Sequence, residues 1–286
     1  MIPLAPALWF LRDHPPPLPE HHAEWLDAGG APVRVVRAGE GDTTLVLLHG
    51  FGESLTVWRP IFDRLTEKNR VVALDLPGFG GSAKPAASYS LESMTERLTG
   101  FLDRWVPGPV VMVGHSMGGE LAASVALARP DQVKLLVLIA PAGYRIGLGA
   151  IMGTMSPTKA RALGRYLALR SFITPIHAPA WLAEPDSMAD YDLTLDSTYV
   201  RAATRVLEEF DWSGLRGRFQ EIRQPTLLIW GGLDPVIPVA VADSIARELR
   251  CRRFISLPGA FHRPQAEVPE TVFSAIRAFL ASPGCE

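Results

Sequence analysis

The sequence feature that most restricts the fold is a glycine-serine motif between a strand pattern and a helix pattern. The apolar run Val110–Val113 predicts a buried strand, and the run from Ser116 to Arg129 predicts a helix that stops at Pro130. Between them, Gly114-His115-Ser116-Met117-Gly118 matches the pattern Gly-x-Ser-x-Gly. A turn this tight forces its central residue into a strained backbone, and its glycines let the strand and helix approach closely. The motif therefore predicts a serine hydroxyl that projects from the end of a strand.

The remainder of the chain alternates strand patterns with helical patterns. The other predicted strands are Glu24–Asp27, Val33–Arg37, Thr44–Leu48, Arg70–Leu74, Leu135–Ala140, Pro225–Trp230 and Arg253–Leu257. The other predicted helices of this alternation are Leu55–Leu65, Ser90–Trp105, Pro238–Leu249 and Pro269–Leu280. Continuously apolar strands that alternate with helices predict an α/β fold, with a mostly parallel sheet flanked by helices on both faces. Functional residues are then expected beyond the C-terminal ends of the strands.

The alternation is interrupted after Pro141. Residues 142–212 contain no buried strand pattern, but they contain helical stretches at Thr158–Arg170 and Asp196–Phe210 that are separated by prolines. The sequence therefore predicts a helical cap, or lid, of residues 142–212 inserted into a core formed by residues 1–141 and 213–286.

Charge and composition exclude several classes of partner. The chain carries 28 basic and 30 acidic side chains, so a nucleic-acid partner is not expected. The apolar N-terminus lacks leading positive charge and is broken by Pro3 and Pro6, and no later apolar run reaches the length that spans a bilayer. We therefore expect a cytoplasmic protein without stable membrane insertion. Cys251 and Cys285 are the only cysteines, which favours a reduced compartment over a disulfide framework.

The serine needs two partners to become a nucleophile. A base must lie within hydrogen-bond reach of the hydroxyl, and an acid must orient that base; in this kind of motif the acid and then the histidine follow the serine along the chain. Of the two histidines beyond Ser116, His177 falls in the predicted cap, which leaves His262 after the last strand. The strand ending at Ala140 is followed by no carboxylate, whereas Asp234 follows the next strand. Ser116, Asp234 and His262 are therefore the predicted catalytic residues.

An oxyanion that forms on the substrate needs preorganised N–H donors. The backbone N–H of Met117 is one predicted donor, because it follows the nucleophile at a helix N-terminus. The second comes from the loop His49-Gly50-Phe51-Gly52, where the N–H of Phe51 is the predicted donor. We expect His49 to support this loop rather than to act as a base, and His115 to serve in packing.

Five ordered motifs between Trp25 and Leu280 resemble those of the α/β-hydrolase superfamily, in its capped, esterase-like branch. They are His49-Gly50-Phe51-Gly52, the turn of residues 75–82, the Gly-x-Ser-x-Gly motif, Trp230-Gly231-Gly232-Leu233-Asp234, and His262 with Glu267 and Pro269. The resemblance implies a serine hydrolase that forms an acyl-enzyme and uses no cofactor. Ser116 excludes the branches with an aspartate nucleophile, namely haloalkane dehalogenases and epoxide hydrolases.

Three alternatives to a carboxylesterase stay open. Carbon–carbon bond hydrolases are similar but usually carry tryptophan beside the catalytic histidine, where Arg263 and Ala266 stand. Perhydrolases and haloperoxidases share the Ser-Met-Gly-Gly run, and a binding protein on the same scaffold would not turn substrate over. The expected partner is a small-molecule ester with a hydrophobic part. Its pocket is predicted from Phe51, Met117, Tyr144, Trp181, Val236 and Phe261, the last of which stands where the family commonly has glycine.

Overall fold

The computed structural model describes residues 21–144 and 197–285, and its centre is an eight-stranded sheet. The strands are β1 (Ala23–Asp27), β2 (Pro32–Ala38), β3 (Thr44–Leu48), β4 (Arg70–Leu74), β5 (Val110–His115), β6 (Val133–Ile139), β7 (Thr226–Gly231) and β8 (Arg252–Leu257). Their order across the sheet is β1-β2-β4-β3-β5-β6-β7-β8. The strands β3 to β8 pair in parallel, and only β1 and β2 run antiparallel to their neighbours. The predicted mostly parallel sheet is confirmed.

Helices cover both faces of the sheet. The α-helices of the described residues are α1 (Arg59–Thr66), α2 (Leu91–Trp105), α3 (Met117–Ala128), α4 (Ser197–Glu209), α5 (Ala240–Glu248), α6 (Pro264–Glu267) and α7 (Pro269–Ala281). Alternate residues of β3 belong to separate hydrophobic cores, since Leu45 and Leu47 pack with α1 and α7 while Val46 and Leu48 pack with α2 and α3. Burial of both faces explains why the central strands are continuously apolar.

Two helical segments differ from the sequence prediction. The helix expected over Leu55–Leu65 is a 3₁₀ turn, Leu55–Trp58, followed by α1. Pro60 explains the division, because proline has no N–H to donate and is suited to the first turn of a helix. The four-residue α6 was not predicted, whereas α4 matches the helix predicted over Asp196–Phe210. The helix predicted over Thr158–Arg170 lies outside the described residues.

The expectation that the cysteines reflect a reduced compartment rather than a disulfide framework is contradicted by the structure. Cys251 and Cys285 form a disulfide, with their Cα atoms 4.7 Å apart. Cys251 precedes β8, and α7 carries the chain back along the sheet, so that Cys285 ends beside the start of that strand. The sequence separation of 34 residues concealed this proximity. In the part of the chain that the structure describes, no helix has the length and apolar character needed to cross a bilayer.

Candidate active site

Ser116 occupies a sharp turn between the end of β5 and the start of α3. Its backbone has φ 52° and ψ −119°, in the left-handed half of the map that side chains other than glycine rarely adopt. A Cβ atom at Gly114 would overlap the carbonyl oxygen of Gly118, and one at Gly118 would overlap that of Leu48. Both glycines are therefore required sterically, and the turn presents Ser116 beyond the strand end as the sequence predicts.

The three side chains predicted to act together lie in contact. Ser116 Oγ is 3.1 Å from His262 Nε2, and His262 Nδ1 is 2.7 Å from Asp234 Oδ2. The second oxygen of Asp234 accepts hydrogen bonds from the N–H groups of Val236, at 2.8 Å, and Ile237, at 2.9 Å. These two bonds fix the carboxylate, so that Nδ1–H of His262 donates to it and Nε2, without a proton, faces Ser116 Oγ.

Burial lowers the pKa of His262 below its usual 6.5, and the hydrogen bond that His262 donates to Asp234 opposes this shift. The histidine must be neutral to accept the serine proton, and a lowered pKa keeps it neutral further into the acid range. We therefore expect kcat/KM for ester hydrolysis to fall to half its plateau below pH 6.5. The measurement is a pH profile of kcat/KM, with circular dichroism at each pH as the control for folding. A half-maximum above pH 6.5 would contradict this prediction.

The predicted oxyanion loop lies against Ser116. A Cβ atom added to Gly50 would be 3.1 Å from Ser116 Cβ, so the loop approaches the serine closely only because residue 50 is glycine. Within the described residues, neither the N–H of Phe51 nor that of Met117 donates a hydrogen bond to another protein group. Two unengaged donors thus flank the serine, which is the arrangement that binds a developing oxyanion.

His49 holds the loop that contains Phe51. Its Nε2 accepts a hydrogen bond from the N–H of Leu76, at 2.9 Å, which leaves the Nδ1–H to donate to the carbonyl of Gly50, at 2.7 Å. Burial lowers the pKa of His49, which favours this neutral form. The side chain is engaged at both nitrogens and has the supporting role expected from the sequence.

Comparison with known proteins identifies the family. Residues 45–275 match the model of the "Alpha/beta hydrolase family". The chain belongs to this family. The hydrolase is 28% identical over 248 residues to "Uncharacterized hydrolase YugF" of Bacillus subtilis (strain 168), covering 84% of this chain and 90% of YugF.

A further relative of the hydrolase is an esterase, and a solved structure shares its fold. It is 30% identical over 262 residues to the pimeloyl-(acyl-carrier protein) methyl ester esterase of Nitrosomonas europaea, covering 87% of this chain and 99% of the esterase. The crystal structure of the enol-lactonase from Burkholderia xenovorans LB400 superposes with a TM-score of 0.77 at 24% identity, covering 91% of this chain and all of the lactonase. At that identity the lactonase supports the shared fold only.

A second polar cluster of the hydrolase lies behind the catalytic candidates, and the sequence analysis missed it. His115 was expected to serve in packing, but its Nδ1 lies 2.9 Å from Glu53 Oε2 and its Nε2 lies 2.8 Å from the carbonyl oxygen of His262. Glu53 also accepts from the N–H of Gly50, at 2.8 Å, and pairs with Arg263 Nε, at 2.8 Å. The sequence feature that could have indicated this cluster is Glu53 itself, a carboxylate three residues after Gly50 and next to the predicted oxyanion loop.

The loop of the hydrolase that carries His262 is closed by Glu267. The carboxylate of this residue, in α6, accepts hydrogen bonds from the N–H of Phe261 and from the N–H of Arg263, the latter at 2.9 Å. The backbone on both sides of His262 is therefore held by one side chain. This contact gives a structural reason for the glutamate that the family resemblance places after the histidine.

The residues predicted for the substrate pocket have different surroundings in the hydrolase. Val236 and Phe261 adjoin Asp234 and His262 in the chain and are exposed, to 37% and 49%. Tyr144 stacks on Phe219 and donates a hydrogen bond to Glu248, and its pKa is raised to about 12 by burial and by that bond. No contact among the described residues joins Tyr144 to the serine. Trp181 lies outside the described residues.

An aromatic cluster beside the oxyanion loop was not predicted. The ring of Phe51 lies edge-on to Phe79, at 5.5 Å between centroids, and to Trp212, at 5.8 Å. Tyr199, from α4, contacts the same Phe79 ring at 6.2 Å. The hydrolase thus surrounds one side of the predicted oxyanion loop with aromatic rings, which form an apolar wall.

Proposed function

We propose that this hydrolase cleaves carboxylic esters, with Ser116 as nucleophile, His262 as general base and acid, and Asp234 as the residue that orients His262. The observation that carries the proposal is the continuous set of contacts from Asp234 Oδ2 through the imidazole to Ser116 Oγ. The relatives named as methyl ester esterases favour an ester over other bonds. We assign the oxyanion donors to the N–H groups of Phe51 and Met117.

The first half-reaction transfers the acyl group to the protein. Ser116 Oγ attacks the carbonyl carbon while His262 Nε2 accepts its proton, and the carbonyl oxygen becomes an oxyanion that the two N–H groups bind. When the intermediate collapses, the bond to the alcohol oxygen breaks and His262 returns the proton to that oxygen. The alcohol leaves, and the acyl group remains on Ser116.

The second half-reaction restores the protein with water as its only co-reactant. His262 removes a proton from a water molecule, whose oxygen attacks the acyl carbon. The bond from the carbonyl carbon to Ser116 Oγ then breaks, and His262 gives the proton back to the serine. The carboxylic acid is released, and no step requires a cofactor.

The substrate that we propose is a small ester with a hydrophobic part. The aromatic wall of Phe51, Phe79, Tyr199 and Trp212 adjoins the proposed oxyanion donor, where an apolar acyl or alcohol group would be shielded from water. Tyr199 and Trp212 come from the C-terminal part of residues 142–212, the segment that we propose as the cap. A cap would account for aromatic side chains at this position.

The test combines covalent labelling with a panel of substrates. We expect a fluorophosphonate probe to label one site per chain at Ser116, and p-nitrophenyl esters to be hydrolysed with release of nitrophenolate. The panel also contains thioesters, lactones, a vinylogous diketone, and esters with hydrogen peroxide as acceptor. Labelled protein is digested and the modified peptide is identified by mass spectrometry.

The outcomes separate the proposed function from its rivals. Stoichiometric labelling with ester turnover that exceeds turnover of the other substrates supports the proposal. Faster cleavage of the diketone would favour a carbon–carbon bond hydrolase, and faster transfer to peroxide would favour a perhydrolase. A folded protein whose Ser116 resists the probe would support the binding protein and overturn ester hydrolysis.

A further inference from the structure

Glu53 contacts three separate loops of the active site. Its Oε2 accepts from the N–H of Gly50, at 2.8 Å, and lies 2.9 Å from His115 Nδ1. Its Oε1 lies 2.8 Å from Arg263 Nε. Gly50 belongs to the oxyanion loop, His115 precedes the nucleophile, and Arg263 follows the base. The side chain of Glu53 is only 5% exposed, so these contacts are largely shielded from water.

His115 extends the connection to the backbone of the base. Its Nε2 lies 2.8 Å from the carbonyl oxygen of His262, and the two imidazole rings are 4.8 Å apart between centroids. A carbonyl oxygen can only accept a hydrogen bond, and the carboxylate of Glu53 is ionised because its charged partners hold its pKa well below the usual range despite burial. Both nitrogens of His115 therefore face acceptors, an arrangement in which the ring can donate at both nitrogens only as an imidazolium.

We propose that Glu53 and His115 are positioning residues that fix the oxyanion loop and the loop of His262 relative to Ser116. This proposal rests on the proposed function, because Glu53 and His115 would hold the site of that same reaction in its reactive geometry. The N–H of Gly50 is engaged by Glu53, whereas the next N–H, that of Phe51, has no acceptor among the described residues and is the proposed oxyanion donor. The carbonyl of His262 is engaged by His115, which fixes the backbone from which the imidazole extends.

The positions of the base and of the oxyanion donor determine the rate, which is why residues that fix these positions matter. A misplacement of about 1 Å in a reacting group lowers the rate by about 10²-fold, and loss of one oxyanion donor lowers it by about 10²–10³-fold. Through its one carboxylate, Glu53 holds both the loop that carries the proposed oxyanion donor and the loop that carries His262. Because neither Glu53 nor His115 touches the reacting atoms, their loss should lower kcat while leaving ground-state binding, and hence KM, nearly unchanged.

The experiment measures kcat per reactive serine in full-length variants. The fluorophosphonate probe, carried to completion, counts the folded sites, so partial unfolding does not affect the value. We expect Glu53→Ala to lower kcat per labelled site by about 10²-fold, with KM changed by less than about threefold. The near-isosteric Glu53→Gln retains an oxygen for Gly50 but loses the charge, and we expect a loss of about tenfold. Glu270→Ala, which removes a carboxylate that is 76% exposed, is the matched control and should match the wild type.

A second variant tests the charge on His115. The groups whose charges act on His262 are Asp234, His115 and Glu53, and the positive charge of His115 lowers the pKa of His262. His115→Gln removes that charge and retains an N–H group for the carbonyl of His262. We expect the acid limb of the kcat/KM profile to move to higher pH, a displacement that a merely structural role would not produce.

The results that would overturn this inference differ from those that bear on the function. A Glu53→Ala protein with wild-type kcat per labelled serine overturns the positioning role, and Glu53→Gln decides the question if the alanine variant does not fold. An acid limb that stays in place or moves to lower pH in His115→Gln contradicts the assigned charge. Ester turnover that persists in Ser116→Ala would instead overturn the proposed function itself.

Discussion

Ser116→Ala is expected to lower the turnover of p-nitrophenyl esters by about 10⁵-fold or more, because no other hydroxyl group among the described residues is hydrogen-bonded to His262 Nε2. The variant keeps the hydrogen-bond donors of Phe51 and Met117, so substrate should still bind with a similar affinity. The measurement is kcat from steady-state kinetics, with substrate affinity followed by a non-hydrolysable ester analogue.

Ser124→Ala provides the matched control. Ser124 lies on α3, the helix that begins directly after Ser116. Each of the two serines is 8% exposed, so the two substitutions remove equally buried hydroxyl groups. Its Oγ has no hydrogen-bond partner, so removing the oxygen should leave kcat within about twofold. Comparable losses in the two variants, or an active Ser116→Ala protein, would refute the assignment of the nucleophile.

Asp234→Asn is expected to lower kcat by about 10⁴-fold without disturbing the fold. Asp234 Oδ1 accepts from the N–H groups of Val236 and Ile237, so the amide oxygen of asparagine will occupy that position. The amide nitrogen must then face His262 Nδ1, and it can donate only if that nitrogen carries no proton. The proton is thereby placed on Nε2, where it faces Ser116 and prevents the ring from acting as a base.

The measurement is kcat together with the melting temperature, and Asp243→Asn is the control. Asp243 is an exposed aspartate in α5, and its replacement should leave kcat unchanged. If Asp234→Asn retained activity within about tenfold of the wild type, Asp234 would not be the residue that sets the tautomer of His262.

The sequence predicts most of the fold and the three central side chains because both depend on local patterns. Each buried strand is marked by its own apolar run, and parallel strands end at one edge of the sheet, so residues that follow different strands are brought together. Ser116, Asp234 and His262 follow β5, β7 and β8, and the structure places them within hydrogen-bond distance. The elimination of the other histidines required chain order and, for His177, its place in the predicted cap.

What the sequence does not predict depends on contacts between distant segments. The position of β4 between β2 and β3 and the pairing of Cys251 with Cys285 leave no local signal. Glu120 is a similar case: a carboxylate in the first turn of α3 is favoured by the helix dipole and would be expected at the surface. It is instead completely buried, and burial raises its pKa well above the usual value.

The backbone at Ser116 also implies a conflict between stability and activity. A residue with a side chain at φ 52° raises the energy of the native state by about 1–3 kcal/mol, a penalty that glycine would avoid. A chain selected for thermal resistance alone would therefore accept glycine at position 116 and lose its nucleophile. The strained residue in this turn is thus also the residue that the proposed reaction requires.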